Sequence, residues 1–257
     1  MYLQWIASAL ALSLFLGMLL CVEIGRRMGV AQLRKEPGMP KGFGASESAI
    51  FALLGLILAF SFSGAATRFE AHRQLIAAEA NAIGTAYLRL DLLPSRAQIE
   101  LKSLFKHYLD VRILSHSRNE DHIATQQAHA QTAALQQQIW QSATASYDLV
   151  DARPNLDLIL PDALNAMFDI TTTRAVALDN HPPLIVFLLL PLLALVSALL
   201  VGFDMSSNKH RRWLHIVSFA AVMSLTVYVI IDLEYPRLGL IRINAADQVL
   251  IDLRSSM

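Results

Sequence analysis

The sequence predicts an all-α integral membrane protein with four transmembrane helices and an extramembrane helical bundle inserted between spans two and three. Three observations predict it. Hydrophobic residues fill 54% of the 257 positions and charged ones only 16%, with a mean hydropathy of +0.43, too apolar for an ordinary soluble domain. Four predominantly apolar stretches have the length of about 20 residues that one crossing needs. Between the second and third, residues 67–181 repeat apolar positions at three- and four-residue steps, without sustained strand alternation.

Residues 1–24 form the first span, with Leu3–Val22 as its apolar run and Tyr2 and Trp5 suited to the interface. The run lacks a basic leading region and is too long for a signal core, so it reads as a retained span. Residues 25–45 read as a basic cytoplasmic loop holding Arg26, Arg27, Arg34, Lys35 and Lys41, with Pro37, Gly38, Pro40, Gly42 and Gly44 as helix breakers. Ser46 suits a helix cap. Ser46–Leu93 contains no proline and reads as one rod. A helix of about 45 residues is roughly 65 Å long, and a hydrocarbon core takes only about 30 Å. Residues 46–66 are therefore the second span, and the rod continues into the bundle.

Residues 67–181 form that bundle. Pro94–His116 is a helix with Ser95 near its start and Ile99, Leu101, Leu104, Phe105, Tyr108, Leu109 and Ile113 on one side. Glu120–Leu149 is rich in glutamine and alanine, with Ile123, Leu135, Ile139, Trp140 and Tyr147 as its apolar points. Pro154 and Pro161 bracket a turn or short helix, and Asp162–Asp179 is the next helix. Residues 182–203 are the third span, entered through Pro182 and Pro183 and expected to kink at Pro191. Residues 204–212 are a short basic loop with Lys209, Arg211 and Arg212. Residues 213–233 are the fourth span, flanked by Trp213 and Tyr235. The tail, 234–257, turns at Pro236 and Gly239 before a short helix that Asn244 is placed to cap.

Four spans put both termini and the bundle on one side. The two short connections hold eight basic residues; Arg68, Arg73, Arg174, Arg237 and Arg242 are the five near span ends on the other side. Basic bias sets orientation, so the expectation is a multi-pass protein of the bacterial inner (cytoplasmic) membrane with a periplasmic bundle.

Several function classes are excluded. A formal net charge of zero, from 21 basic and 21 acidic residues, gives no global field for nucleic acid. The lone Cys21 cannot form an internal disulfide and reads as packing. The eight histidines form no His-Glu-x-x-His and no repeated Glu-x-x-His motif; His122 and His129 read as a solvated face. There is no phosphate-cradling glycine loop, nucleophile elbow or cysteine pair. The expectation is no enzyme, no catalytic residue, no metal and no cofactor.

Two stretches carry a family resemblance. Residues 59–66 (AFSFSGAA) followed by Arg68-Phe69-Glu70, and residues 79–89 (EANAIGTAYLR), resemble the bacterial bestrophin-like membrane family. Residues 167–174 (MFDITTTR) and 232–237 (DLEYPR) are similar to it too. The resemblance implies the bestrophin layout of two spans, a helical insert and two spans, in a homo-oligomer related by name to anion channels. It also implies a cytosolic insert, opposite to the side indicated by the basic residues.

Candidate residues follow from spacing. Gly55, Ala59 and Ser63 recur every four residues and share a face with Ala66. Such a face either packs against another helix or lines a pore, where Ser63 and Thr67 offer hydroxyls and Phe62 an apolar constriction. Phe69, Ile76, Ile83 and Leu90 are each seven apart, a coiled-coil-like seam meeting either its own bundle or other subunits. Glu79, one step off the seam, is placed to pair with Arg174 inside the bundle or to hold an ion. Asp232 and Glu234, at the end of the fourth span, either reach the headgroups or form a carboxylate ring in an oligomer.

The leading expectation is a homo-oligomeric ion channel of four or five subunits whose second span lines the pore. Its partners are the lipid bilayer and inorganic ions. The alternative is a non-conducting scaffold or sensor whose bundle binds a ligand or partner.

Overall fold

A computed structural model describes residues 2–35, 44–117, 122–146, 156–207, 213–235, 240–241 and 243–257. The helices are α1 (Tyr2–Lys35), α2 (Ala45–Arg89), α3 (Ser95–Ser117), α4 (His122–Ala145), α5 (Leu156–Asp179), α6 (Leu184–Asp204), α7 (Trp213–Glu234) and α8 (Asn244–Ser256), with single 3-10 turns at Leu90–Leu92 and Met205–Ser207. Among the described residues there is no strand. Four helical stretches are long and apolar enough to span a bilayer, in α1, the first part of α2, α6 and α7. The chain is an all-α integral membrane protein with four spans.

Three expectations need correction. The loop assigned to residues 25–45 begins as helix, because α1 continues to Lys35. Glycines 25 and 29 break nothing there; they meet another helix at close range. Arg27 donates to Glu23 at 3.0 Å one turn back, and Arg34 and Lys35 sit in the last turn, where cations suit the helix dipole. Second, Pro161 does not bound a turn but lies inside α5 as its sixth residue, where it removes one i→i−4 backbone bond. Third, neither expected cap residue stands at the cap: Ser46 is the second residue of α2, and Asn244 is the first of α8 with Ile243 in the cap position. The expected breakers Pro37, Gly38, Pro40 and Gly42, and Lys41, Glu120, Tyr147, Leu149, Pro154, Lys209, Arg211, Arg212, Pro236, Arg237, Gly239 and Arg242, lie outside the described residues. α6 runs through Pro191 unbroken.

The chain divides into two compact units, Met1–Phe69 with His181–Ile241 and Glu70–Asn180 with Arg242–Met257. In the first, Leu14, Met18 and Val22 of α1 bury against Ala194 and Ala198 of α6 and Ile216, Ala220 and Val227 of α7. The α1–α6 contact is the tightest. A β-carbon on Gly25 would lie 2.9 Å from the Leu199 carbonyl carbon, and one on Gly202 would lie 2.7 Å from the Val22 backbone. Gly29 likewise meets Ser206 at its Cβ, 2.6 Å away. Small residues let backbones approach this closely, and close packing drives helix association in lipid. α2 joins the unit through Ala65, which packs with Leu190, Ile230 and Leu233.

In the second unit the heptad positions Ile76, Ile83 and Leu90 are buried, together with Leu101, Phe105, Tyr108, Ile139, Leu164 and Met167. Each fully buried large side chain contributes about 1.5–3 kcal/mol. Arg254 of α8 forks onto Asp110 of α3 at 2.7 and 3.1 Å, and the Tyr87 hydroxyl donates to the Met257 carbonyl at 3.0 Å.

Candidate functional site

The small-residue face of α2 is open. Gly55, Ala59, Phe62, Ser63 and Thr67 are exposed and Ala66 is half-buried. Among the described residues, no atom beyond the neighbouring turns of α2 comes within 4 Å of where a Gly55 β-carbon would stand. Among the described residues, therefore, no other helix packs on this flank at Gly55, whereas Gly25 of α1 and Gly202 of α6 are in backbone contact. Thr67 donates its hydroxyl proton to the Ser63 carbonyl at 2.8 Å, which leaves its oxygen lone pairs to accept from water or meet a cation.

On its other side, α2 is fastened to α7. Arg68 donates from Nε to both oxygens of Glu234 at 2.9 and 3.0 Å, and from Nη2 to Oε2 at 2.7 Å. The Glu234 side chain is only 1% exposed. Gly64 makes room for this fork, since its β-carbon would lie 3.3 Å from Arg68 Nη1. His181 Nδ1 lies 3.2 Å from Glu234 Oε1, and its ring rests on Tyr235 with centroids 4.9 Å apart. The sequence suggested no partner for Glu234. The available signal was topological, because a four-span layout places Arg68 and Glu234 at ends of spans on the same side.

Asp232 is occupied differently. It is buried and accepts the backbone N–H groups of Leu240 and Ile241, both at 2.8 Å, so it ties the end of α7 to these two residues. With Asp232 and Glu234 both buried, neither presents a free carboxylate within one chain.

In the second unit the structure brings Glu79 and Arg174 together and adds Arg112. Arg112 Nε donates to Glu79 Oε1 at 2.5 Å, and Arg174 Nη1 donates to Oε2. The Glu79 side chain is 0% exposed, and those of Arg112 and Arg174 are 7% and 8% exposed. Burial pushes the Arg112 guanidinium down from its ordinary value, and Tyr108 opposes this. The pairing crosses from α2 to α3 and α5, and no local pattern links Glu79 to Arg112.

Glu234→Gln is expected to lower the thermal midpoint in nanodiscs. Hydrogen bonds to a charged group are worth about 1.5–3 kcal/mol, and the amide cannot match the arginine fork. Arg68→Lys keeps the charge but loses the fork, and is expected to fall between. Equal midpoints for all three proteins, followed by circular dichroism, would show that the fork does not hold α2.

A family model for the Bestrophin-like domain matches residues 12–247. Solved structures of a bacterial bestrophin homologue from Klebsiella pneumoniae have the same fold. A tryptophan-to-alanine variant matches with a TM-score of 0.71 at 15% identity, covering 95% of this chain and 98% of that one. The form phased by Zn-SAD matches at 0.69 and 15%, covering 93% and 98%. An aspartate-to-alanine variant matches at 0.69 and 16%, covering 94% and 99%. No curated protein sequence matches the chain.

Proposed function

Since the chain belongs to the bestrophin-like family, by a domain match over residues 12–247, we propose that it is a homo-oligomeric ion channel whose conduction path is lined by α2. One observation carries the reading: among the described residues, no other helix covers the small and hydroxylated flank of Gly55, Ala59, Ser63, Ala66 and Thr67 at Gly55. Four or five copies around an axis would turn this flank inward. Small residues would leave the passage wide, Phe62 would narrow it with an apolar ring, and hydroxyls would replace part of an ion's hydration. The helical bundle forms the vestibule. The eight basic residues of the short connections support a periplasmic vestibule and a cytoplasmic-membrane location.

Flux into liposomes from the purified chain tests the function, together with the subunit count in nanodiscs. Ala59→Trp is expected to cut flux by about tenfold or more, by blocking the passage, while leaving the thermal midpoint unchanged. Wild-type liposomes that pass no ion, or a monomer or dimer, would support a non-conducting scaffold or sensor instead. Orientation has its own readout. A cysteine at exposed Ala130 is expected to react with an impermeant maleimide on intact spheroplasts, and labelling only after permeabilisation would move the bundle to the cytosol.

A further inference from the structure

Between α1, α6 and α7 the first unit holds a cavity of about 530 Å³, and we propose that it binds one acyl chain of a membrane phospholipid. Its shape follows from residue size along two helices. At Gly25 and Gly202 the backbones of α1 and α6 are in contact, at Gly17 the neighbour is the Leu195 side chain at 3.2 Å from a would-be β-carbon, and beyond that the cavity opens between Leu10 and Leu188. The space is a wedge, closed near the middle of the membrane and open toward the start of α1.

The length of the wedge fits one leaflet. Its lining runs from Ile6 to Gly17 on α1 and from Leu184 to Leu195 on α6, which at 1.5 Å per residue is about 16 Å. Half of a hydrocarbon core of about 30 Å is nearly the same. The lining is apolar except for the hydroxyls of Ser13 and Tyr235, and Ser13 already donates to the Leu10 carbonyl at 2.8 Å. Water would find too few partners there.

The polarity also grades in the right direction. Tyr235 lines the cavity and rests on His181, which meets the Arg68–Glu234 fork. This puts polar groups at headgroup depth and hydrocarbon-like walls below. A helix from a second copy fits poorly, because with side chains it is about 10–12 Å wide and does not taper. A single chain does fit. The proposal is independent of ion conduction.

The test uses the full chain in vesicles of phosphatidylethanolamine and phosphatidylglycerol, re-extracted in detergent, with retained phospholipid counted by mass spectrometry. Wild type is expected to keep one phospholipid per subunit. Leu10→Trp with Leu188→Trp fills the wedge from its rim, where both leucines are exposed, and is expected to retain about tenfold less. Val222→Trp with Leu225→Trp, at exposed positions on α7 outside the cavity, is expected to retain the wild-type amount. A second measurement needs no filled variant: a phospholipid with a mid-chain diazirine is expected to label wild type within residues 6–17 and 184–195. Retention unchanged by filling, no retained lipid in wild type, or label spread evenly over all four spans would each overturn the proposal. So would efficient cross-linking between copies through Leu10→Cys in a Cys21→Ser background, which would give the wedge to a second copy.

Discussion

Gly202→Ala is expected to yield little or no monodisperse protein, although it adds a single methyl group. The new carbon would stand 2.7 Å from both the carbonyl carbon and the α-carbon of Val22, and closer still to the Val22 oxygen. These are backbone atoms, with no rotamer to turn aside. α1 and α6 must separate, and the contacts of Met18, Val22, Ala194 and Ala198 weaken together, because dispersion falls off steeply with a gap of even half an ångström. Overpacking usually costs about 1–3 kcal/mol, and a clash with backbone belongs at or above the top of that range. Gly55→Ala is the matched control. It has open space around it, and replacing a mid-helix glycine by alanine is expected to add about 0.5–1 kcal/mol. Size-exclusion profiles and thermal midpoints of the two variants read the difference directly. Similar behaviour would mean that the α1–α6 approach is looser than described.

Glu79→Gln is expected to destabilise the second unit more than any other single charge removal in it. The carboxylate is fully buried between Arg112 and Arg174, and removing one partner from a buried ion pair costs about 3–5 kcal/mol. Here one substitution takes the carboxylate from two guanidinium groups. Arg174→Met is expected to cost less, since Glu79 keeps Arg112. Unfolding of the full chain in nanodiscs gives the ranking, and hydrogen exchange over Glu70–Ser117 localises it. A smaller effect for Glu79→Gln than for Arg174→Met would mean that Glu79 is not the centre of the cluster.

The spans were legible because a crossing demands an uninterrupted apolar run, and Leu184–Phe203 or Trp213–Leu233 is hard to read otherwise. The long α2 was legible for a related reason: Ser46–Leu93 has no proline to stop it. The loop boundary at residue 25 was misplaced for a physical reason. In water, glycine next to a charged stretch marks a break; in a helix pair within lipid, the missing side chain is a place for another backbone. Gly25–Lys35 also carries Val30 and Leu33 three residues apart, a signal that the neighbouring prolines and glycines obscured. The small residues of α2 pointed to close packing, yet it is the α1–α6 pair that uses its glycines in this way.

Among candidate residues, Glu79 and Arg174 both occur in heavily helical, amphipathic surroundings, which made a buried pair readable. Arg112 did not stand out, because its role is set by which faces of α2, α3 and α5 meet. Asp232 and Glu234 looked alike in sequence, two carboxylates at one span end. Their different partners, two backbone amides and an arginine fork, depend on how the chain returns after α7, and no local pattern records that.

The α1–α6 seam also sets a schedule. Gly202 is synthesised 177 residues after Gly25, and at about 5–20 residues per second the interval is roughly 10–35 s. Throughout that time the first helix sits in the bilayer with its glycine notch empty, held by its own hydropathy. Its tolerance of that solitary period is a requirement on biogenesis, distinct from anything the finished fold demands.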